Sequence, residues 1–512
     1  MLQNYLSNLF ESTKTPNLLG DASSVLSRDA SKNLVDRIAH AIHRRTSSLG
    51  RAASVALYLP RDNRYLATIL AVWQSGHHYI PLNQAWPDRH TQQILDDARP
   101  DLLIADTRQF DGSVPMLSIQ EAVACVNPEP DLHNAWHRAA AEPGIAYVIY
   151  TSGSTGGQKG VIISRRALTA YIDWVRRTLS LHRDNRMLLI NGEMSFDISI
   201  ADLAFALAFE TEIHISPDPK NMLAHARLLR DRSIDTFYAV PSTINRLFSW
   251  ATTRKGLTFD RLKAVFSGGD VLTFGLIDLV HQVAPNARCY NMYGPTELTM
   301  NCLFFPILDP DEQGYPRGSV PTGIEFDHLS YKLVDPDSLV PASDEGELLV
   351  SGDQCMEGYL HDSERTANAF VRVGDTRYYR TGDLFQRNED GVYSILGRVD
   401  SVVKVRGYRI NTNVIDSILL GEPWVQDART IAVKTGASDA QIVTFLALRG
   451  LTEDYAERLT RRCRTELPHY MVPSRFLQLD QLPHGTTGKV DTQALKEIAL
   501  QRLGVPVSPA GD

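Results

Sequence analysis

An apolar segment that leads directly into a glycine- and hydroxyl-rich segment restricts the fold of this chain more than any other feature. Residues 145–149 are apolar, which predicts a buried strand. Residues 150–160 follow and contain four glycines, four serine or threonine residues, one lysine and no acid. Because glycines let backbone N–H groups point to one place and hydroxyls add donors, the pattern predicts a polyphosphate-binding loop at a strand end.

Two other interpretations of this loop are weaker. A Walker loop requires Gly-Lys-Ser/Thr, whereas here Gln158 precedes Lys159 and Gly160 follows it. A flexible Gly/Ser linker would rarely follow a buried strand directly. The loop is therefore interpreted as a phosphate site of another kind.

Length and composition limit the class of protein. A chain of 512 residues is too long for one hydrophobic core, so we expect two or three domains. The formal net charge of −8 argues against nucleic-acid binding, and no apolar run reaches the roughly 18 residues of a membrane span. Five scattered cysteines indicate reduced thiols and the N-terminus lacks a signal-peptide pattern, which favours a cytoplasmic location. The oligomeric state stays open.

Strand and helix patterns alternate along the first part of the chain. Strands are predicted at residues 53–59, 78–82 and 102–105. Helices are predicted between them, at residues 64–74 and 88–98. Strands separated by helices indicate βαβ units and parallel sheets, and a second, smaller α/β unit follows from about residue 399. We predict an α/β fold with a large N-terminal domain, residues 1–399, and a small C-terminal domain, residues 400–512.

Several later segments carry side chains suited to chemistry. Asp197 precedes a very apolar helix predicted at residues 200–209, where an N-cap and a functional carboxylate are equally plausible.

In the Asn-Met-Tyr-Gly-Pro-Thr-Glu segment, residues 291–297, an exposed Tyr293 can stack on a base and Thr296 can bind a phosphate. Glu297 is a hard oxygen ligand that suits Mg²⁺. Lys489 lies on a glycine-flanked loop, where a solvated lysine is the simple alternative.

Six motifs in the same order, including residues 150–160, 291–297, 379–384, 397–400 and 483–491, resemble those of the adenylate-forming superfamily, and the resemblance extends from about residue 50 to 491. That superfamily comprises acyl-CoA ligases, luciferases and the adenylation domains of nonribosomal peptide synthesis. Within it, the chain is similar to free-standing amino-acid adenylation enzymes such as the D-alanine–carrier protein ligases. The resemblance implies that an amino acid is activated as aminoacyl-AMP and transferred to the phosphopantetheine thiol of a carrier protein. No carrier motif follows residue 491, so a separate carrier protein is expected.

The resemblance also implies an ATP site. The loop would hold the β- and γ-phosphates, while Tyr293, Asp383 and Arg398 would hold the adenosine. The carboxylate of Asp383 would accept hydrogen bonds from the ribose hydroxyls, as acidic residues do in dinucleotide-binding folds. The implied ATP-binding residues are Thr151, Ser152, Gly153, Ser154, Thr155, Gly156, Lys159, Gly269, Asn291, Tyr293, Gly294, Asp383 and Arg398.

The same resemblance assigns the catalytic groups and a hinge. Lys489 would bridge the substrate carboxylate and the α-phosphate, Thr296 would contact the phosphate and Glu297 would hold Mg²⁺. Asp400 would be the hinge about which the mobile C-terminal domain rotates between the two half-reactions. Asn411 and Asn413 stand in a stretch where the family usually has acids, so the ion pairs made by those acids cannot be assumed.

In amino-acid-activating relatives, an Asp at the position of Asp197 pairs with the α-ammonium group. The implied substrate-binding residues are Asp197, Ile198, Ala201, Ala239, Val265, Ser267, Gly268, Met292, Met300 and Asn301. Only Asp197 and Lys489 would carry charge there, so we predict a neutral, medium-to-large side chain with one hydrogen bond to Asn301 or Ser267. A β-amino acid is an open alternative.

Two other functions stay open at this stage. An acyl-CoA or aryl-CoA ligase would activate an acid without an amino group, and Asp197 argues against it because the buried carboxylate would lack its cation. A non-catalytic binding protein of the same family would not need Lys489, Glu297 and Asp383 together.

Overall fold

The computed structural model describes residues 2–106, 114–126, 144–152, 158–179, 187–190, 192–308, 318–399, 402–405, 408–434, 440–450, 454–467, 471–485 and 490–503. This part of the chain forms a large N-terminal domain of parallel and mixed sheets and a smaller C-terminal domain, which confirms the predicted α/β class. The boundary between residues 399 and 400 stays a prediction, since residue 400 lies outside these ranges.

The strand before the glycine-rich loop is buried, as predicted. It spans Ile145–Ser152 and pairs in antiparallel fashion with Gln158–Ser164, with Thr151 opposite Lys159. The two belong to a sheet whose described strands are, in order, Gly358–Tyr359, Gln158–Ser164, Ile145–Ser152, His78–Pro81, Ser54–Tyr58, Leu102–Ala105 and Met116–Ser118. The four pairings from Ile145–Ser152 to Met116–Ser118 are parallel, as βαβ units require.

A larger sheet positions most of the candidate residues. Its described strands are, in order, Ile324–Glu325, Leu303–Ile307, Arg288–Tyr293, Ala264–Gly268, Thr236–Ala239, Met187–Ile190, Glu212–Ile215, Asn17–Gly20 and Val25–Ser27. The central strands are parallel, so their carboxyl ends meet at one edge. Ligands of open α/β sheets bind outside that edge.

Three smaller sheets complete the described part of the chain. An antiparallel sheet ends the N-terminal domain with Ser330–Val334, Glu345–Ser351, Thr376–Arg387, Phe370–Val373 and Tyr393–Arg398. A strand pair follows at Val402–Val405 and Tyr408–Asn411. The C-terminal domain contains Val425–Lys434, Ala440–Leu448 and Arg475–Gln478.

The α-helices of these ranges are Leu2–Glu11, Arg28–Thr46, Asn63–Gln74, Asp88–Ala98, Ile119–Ala124, Arg165–Thr178, Ile198–Phe209, Met222–Asp231, Pro241–Thr252, Phe274–Val283, Ser363–Asn368, Thr412–Leu420, Tyr455–Glu466 and Thr492–Leu503. Short 3₁₀ turns lie at Ser47–Leu49 and Thr296–Leu298. None of the described helices combines the length and the apolar character needed to cross a bilayer.

The helix Ile198–Phe209 lies at the centre of the N-terminal domain. All of its residues are buried, and its apolar side chains belong to a core cluster that also contains side chains from both large sheets. A helix that is apolar on every side is stable only when it is surrounded in this way. It begins two residues before the predicted start, so Asp197 stands directly at its first turn.

This helix contains an acid, Asp202, whose side chain is fully buried and whose two carboxylate oxygens have no hydrogen-bond partner among the described residues. Burial raises the pKa of Asp202 well above its ordinary value, although the positive charge of Arg61 opposes the shift. The folded protein therefore keeps a proton that the unfolded chain loses above about pH 4, and the free energy of unfolding falls by about 1.4 kcal/mol per pH unit in that window.

We expect Asp202→Asn to remove this pH dependence. The melting temperature of the variant relative to the unmodified protein should rise from pH 5 to pH 7, because the amide has no proton to lose. Thermal unfolding of both proteins at pH 5, 6 and 7 tests this, and a constant difference in melting temperature would contradict the neutral state of Asp202.

Candidate active site

A hydrogen bond connects Asp197, at the start of the buried helix, to the Thr296–Leu298 turn. Its backbone is already helical, with φ −64° and ψ −21°, and its side chain makes no capping hydrogen bond. Its Oδ2 atom instead accepts a hydrogen bond of 2.5 Å from Thr296 Oγ1, and both side chains are buried. A simple N-cap role is therefore not what the geometry supports. Thr296, predicted to contact a phosphate, is engaged with Asp197.

Glu297 is paired with the lysine of the glycine-rich loop. Lys159 Nζ lies 2.5 Å from Glu297 Oε1, and the hydroxyl of Tyr359 donates to the same oxygen at 2.8 Å. Burial alone would raise the pKa of Glu297, but Lys159 and the hydroxyl outweigh burial and lower that pKa below its ordinary value. Glu297 is thus a buried, ionised carboxylate held by a cation.

Tyr359 is a site residue that sequence reasoning missed. Its hydroxyl contacts Lys159 Nζ at 3.1 Å as well as Glu297, and the ammonium lies 4.8 Å from the centre of its ring. It reaches this place because Gly358–Tyr359 forms the edge strand beside Gln158–Ser164. The contact joins residues 200 positions apart, and no local pattern marks it.

The three residues predicted to hold adenosine lie together. The hydroxyl of Tyr293 donates to Asp383 Oδ2 at 2.5 Å, and Arg398 Nη1 lies 3.0 Å from Asp383 Oδ1. Strand pairing places Asp383 directly opposite Arg398. The prediction that Tyr293 is exposed is wrong, because the end of its strand is covered and the side chain is half-buried. Burial and the nearby Asp383 raise the pKa of Tyr293 well above its ordinary value, so the hydroxyl remains a donor.

Two glycines allow a close approach of strands at this edge. A Cβ atom on Gly268 would lie 2.6 Å from the carbonyl oxygen of Met292, and one on Gly294 would lie 2.5 Å from that of Met300. Real Cβ atoms do not come so close, so any side chain would force the strand ends apart. Gly269 follows Gly268 at the end of the strand. Asn291 is buried in the next strand and donates from Nδ2 to the carbonyl oxygen of Pro321 at 2.9 Å.

Only some of the ten predicted pocket residues line the same cavity. Ile198 and Ala239 line one cavity of about 660 Å³. Val265 packs in a core cluster with Ala239, and the remaining apolar members pack in the cluster of the central helix. Those members are Ala201, Met292 and Met300. That all ten residues share one pocket stays a prediction.

Asn301 and Ser267 are the two pocket residues predicted to form a hydrogen bond with the substrate side chain. Asn301 Oδ1 accepts from Tyr171 at 2.8 Å, and its Nδ2 donates to the hydroxyl of Tyr238 at 3.1 Å, which leaves one N–H of the amide without an assigned acceptor among the described residues. The contact of Asn301 with a substrate stays a prediction. The hydroxyl of Ser267 is buried and has no hydrogen-bond partner in the part of the chain that the structure describes, and its role toward a substrate stays a prediction. Sheet pairing places Ser267 between Ala239 and Asn291.

The cavity lies between the two domains. On the N-terminal side it is lined by Gly192, Glu193, Phe196, Ile198, Pro219, Lys220, Ala239, Val240, Ser242, Thr243, Asn245, Arg246 and Ser249. On the C-terminal side it is lined by Gln426, Asp427, Ala447, Gln481, Leu482, His484 and Gly485. Glu193, Lys220, Arg246 and Asp427 add charge to this cavity at positions outside the ten predicted ones, so the prediction that those ten carry no charge beyond Asp197 stays a prediction. The segment that leads to Lys489 therefore faces Ile198 and Ala239.

Several predicted site residues lie outside the described residues: Gly153, Ser154, Thr155, Gly156, Asp400 and Lys489. Thr151 and Ser152 end the strand before the loop. In the described part of the chain, no three His, Cys, Asp or Glu side chains form a group that could hold a metal by themselves.

Comparison with protein families gives two matches. A family model described as AMP-binding enzyme matches residues 21–360, and one described as AMP-binding enzyme C-terminal domain matches residues 414–489. The dapdiamide synthesis protein DdaD of Enterobacter agglomerans is 30% identical over 452 residues, which cover 87% of this chain and 73% of that protein. Tyrocidine synthase 3 of Brevibacillus parabrevis is 30% identical over 485 residues, which cover 91% of this chain and 7% of that protein. The chain thus spans only a small part of that relative.

Solved structures are also similar. A holo four-domain nonribosomal peptide synthetase bound to AMP and glycine superposes with a TM-score of 0.81 and 26% identity, over 100% of this chain and 37% of that one. The amide bond synthetase McbA of Marinactinospora thermotolerans has the same TM-score at 20% identity, over 98% of this chain and 100% of that one. The second likeness concerns the fold alone.

Proposed function

The chain belongs to the AMP-binding enzymes, the adenylate-forming family, and from this membership we propose that it activates an amino acid with ATP. The product is aminoacyl-AMP, and the aminoacyl group then passes to the phosphopantetheine thiol of a separate carrier protein in natural-product biosynthesis. The likeness to D-alanine-activating ligases stays part of this proposal.

The observation that carries the proposal is the position of Asp197. Its buried carboxylate makes no helix cap, accepts a hydrogen bond from Thr296 and lies next in sequence to Ile198, which lines the cavity. The negative charge of the Asp197 carboxylate is matched to the positive α-ammonium group of an amino acid, and burial strengthens the attraction between such charges. Glu193, Lys220, Arg246 and Asp427 also line the cavity, but none of the predicted pocket positions other than Asp197 carries a charge, so we propose a neutral side chain with one hydrogen bond to Ser267.

Mg²⁺ fits the donor set around Glu297. The ion usually takes one or two carboxylates and completes its shell with phosphate oxygens and water, so a cage of protein acids is not required. The hydrogen bonds from Lys159 and Tyr359 both go to Oε1 of Glu297. We assign Oε2 to the ion, which would neutralise phosphate charge when bound.

In the proposed first step, a carboxylate oxygen of the amino acid bonds to the α-phosphorus while the bond from that phosphorus to the bridging oxygen breaks. Pyrophosphate leaves, and aminoacyl-AMP remains. The substrate is its own nucleophile, so the protein contributes positioning and charge neutralisation. Lys489 is assigned to the carboxylate and α-phosphate, and Tyr293, Asp383 and Arg398 to the adenosine. Thr296 links the phosphate site to Asp197.

In the proposed second step, the thiol of phosphopantetheine releases its proton to solvent and its sulfur bonds to the acyl carbon, while the bond from that carbon to the phosphate oxygen breaks and AMP leaves with its electron pair. A rotation of the C-terminal domain about Asp400 would exchange the groups that face the adenylate. Hinge motions of this type let one site serve two reactions.

ATP–pyrophosphate exchange tests the first step without a carrier protein. The panel consists of proteinogenic, D-, β- and aryl acids. Exchange with one amino acid and none with its des-amino analogue is the expected result. Exchange only with acids that lack an amine, followed by thioester formation with CoA, would overturn the proposal in favour of an acyl-CoA or aryl-CoA ligase.

A further inference from the structure

We propose that Arg429 is a positioning residue that holds the C-terminal domain against the N-terminal domain through Asp270, in the arrangement used for adenylate formation. Arg429 lies on the strand Val425–Lys434 of the C-terminal domain. Asp270 follows the strand Ala264–Gly268 of the candidate site. The activity part of the test rests on the proposed function, whereas the orientation part does not.

The contact itself joins the two domains directly. Arg429 Nη2 lies 3.4 Å from Asp270 Oδ1, and each side chain is only 23% exposed. The same oxygen of Asp270 accepts from the backbone N–H of Val271 at 2.8 Å, which fixes the carboxylate. A partly buried ion pair is screened less by solvent and salt than a surface pair, so its loss has a larger effect.

The groups around Arg429 in its own domain favour an ion pair between its guanidinium group and Asp270. Within its own domain, Arg429 Nη1 lies 3.8 Å from Asp416 Oδ2 and 3.4 Å from Asn413 Oδ1. Burial raises the pKa of Asp416 to about 7, so Asp416 carries only part of a negative charge near neutrality. Asn413 is uncharged. Asp270 is thus the partner through which Arg429 gains most when the domains meet.

The pair also lies beside the cavity. Asp270 comes directly after Ser267, Gly268 and Gly269, while Asp427, two residues before Arg429, lines the cavity itself. The same domain arrangement turns His484 and Gly485, which precede Lys489, toward Ile198 and Ala239. An ion pair that stabilises this arrangement should therefore assist the step in which Lys489 is needed and oppose its rotation away.

A half-reaction comparison tests the assigned role. We expect Arg429→Gln and Asp270→Asn each to slow pyrophosphate exchange about ten-fold, and the double variant to be no slower than either single variant, because coupled residues are not additive. Arg429→Lys should recover most of the rate. Pantetheine-dependent release of AMP from enzyme preloaded with adenylate should be unchanged or faster in all of them. Arg462→Gln, which removes pairs with Glu422 and Glu466 inside the C-terminal domain, is the matched control.

A second measurement needs no substrate. Spin labels at the exposed positions Lys255 and Lys496 report the distance between the domains, in a background where the half-buried Cys125 and Cys355 are serine. We expect one narrow distance distribution for the unmodified chain and a broadened one for Arg429→Gln and Asp270→Asn.

The outcomes separate this inference from the proposed function. Absence of exchange in the unmodified protein would count against the proposed function, and the spin-label distances would then decide the inference alone. Unchanged distance distributions in both variants would overturn the inference. Equal slowing of exchange and of AMP release would also overturn it, since that is the result of a general structural defect.

Discussion

Replacing Asp197 by asparagine is expected to lower kcat/KM for amino-acid-dependent pyrophosphate exchange by about 100- to 1,000-fold, the loss that follows when one partner of a buried ion pair is removed. The amide keeps the volume of the side chain and can still accept a hydrogen bond from Thr296, so the change is confined to charge. The relative activity with the des-amino analogue should rise, because the penalty for omitting the ammonium group disappears.

Asp202→Asn is the matched control for this variant. It makes the same Asp-to-Asn replacement at a buried acid of the helix that Asp197 precedes, one with no assigned contact with substrate, and because burial keeps Asp202 protonated the replacement there leaves the charge unchanged. We expect its exchange rate to stay within about threefold of the unmodified protein at pH 7. Equal losses in both variants would indicate damage to the helix and would remove the case for an ammonium site at Asp197.

Replacing Glu297 by glutamine is expected to lower the exchange rate by about 100-fold and to raise the Mg²⁺ concentration needed for half-maximal rate. The variant loses the negative charge opposite Lys159 and the carboxylate oxygen assigned to the ion. Exchange at increasing Mg²⁺ measures both effects, and a plateau rate close to that of the unmodified protein would assign Glu297 only to metal affinity.

Glu212→Gln controls for the loss of a buried glutamate. Glu212 lies in the large sheet, is 3% exposed at its side chain and pairs with His214 at 2.8 Å, away from the candidate site. Its replacement should lower the melting temperature without changing the Mg²⁺ dependence. A similar shift of the Mg²⁺ dependence in both variants would contradict the assignment of the metal to Glu297.

Local sequence was sufficient for much of the fold. The apolar run before residue 150 is a buried strand, and the strands and helices predicted in residues 53–105 occur with small changes at their ends. The N-terminal helix Leu2–Glu11 and the strand Asn17–Gly20 were not predicted, because these short elements are stabilised by contacts with distant strands and helices.

The candidate site was also predicted in part. Motif spacing identified Asp197, Glu297, Lys159, Tyr293, and other groups that the structure brings into contact. It was not sufficient for the side-chain pocket, where a list of positions cannot tell which side of a strand faces a cavity. The resemblance assigned Asn301 to the substrate, and its contacts with Tyr171 and Tyr238 could not be predicted because both residues are far away in sequence.

The sequence by itself determined the fold class, the order of the motifs and the chemical identity of the groups at the candidate site, because these depend on local periodicity and on residue type. Only the tertiary structure decided which groups meet: Tyr359 with Glu297, Tyr171 with Asn301, and Arg429 with Asp270. Such pairs depend on strand order and domain packing. Strand order and domain packing depend on how apolar surface is buried over the whole chain, so they cannot be predicted from a short segment.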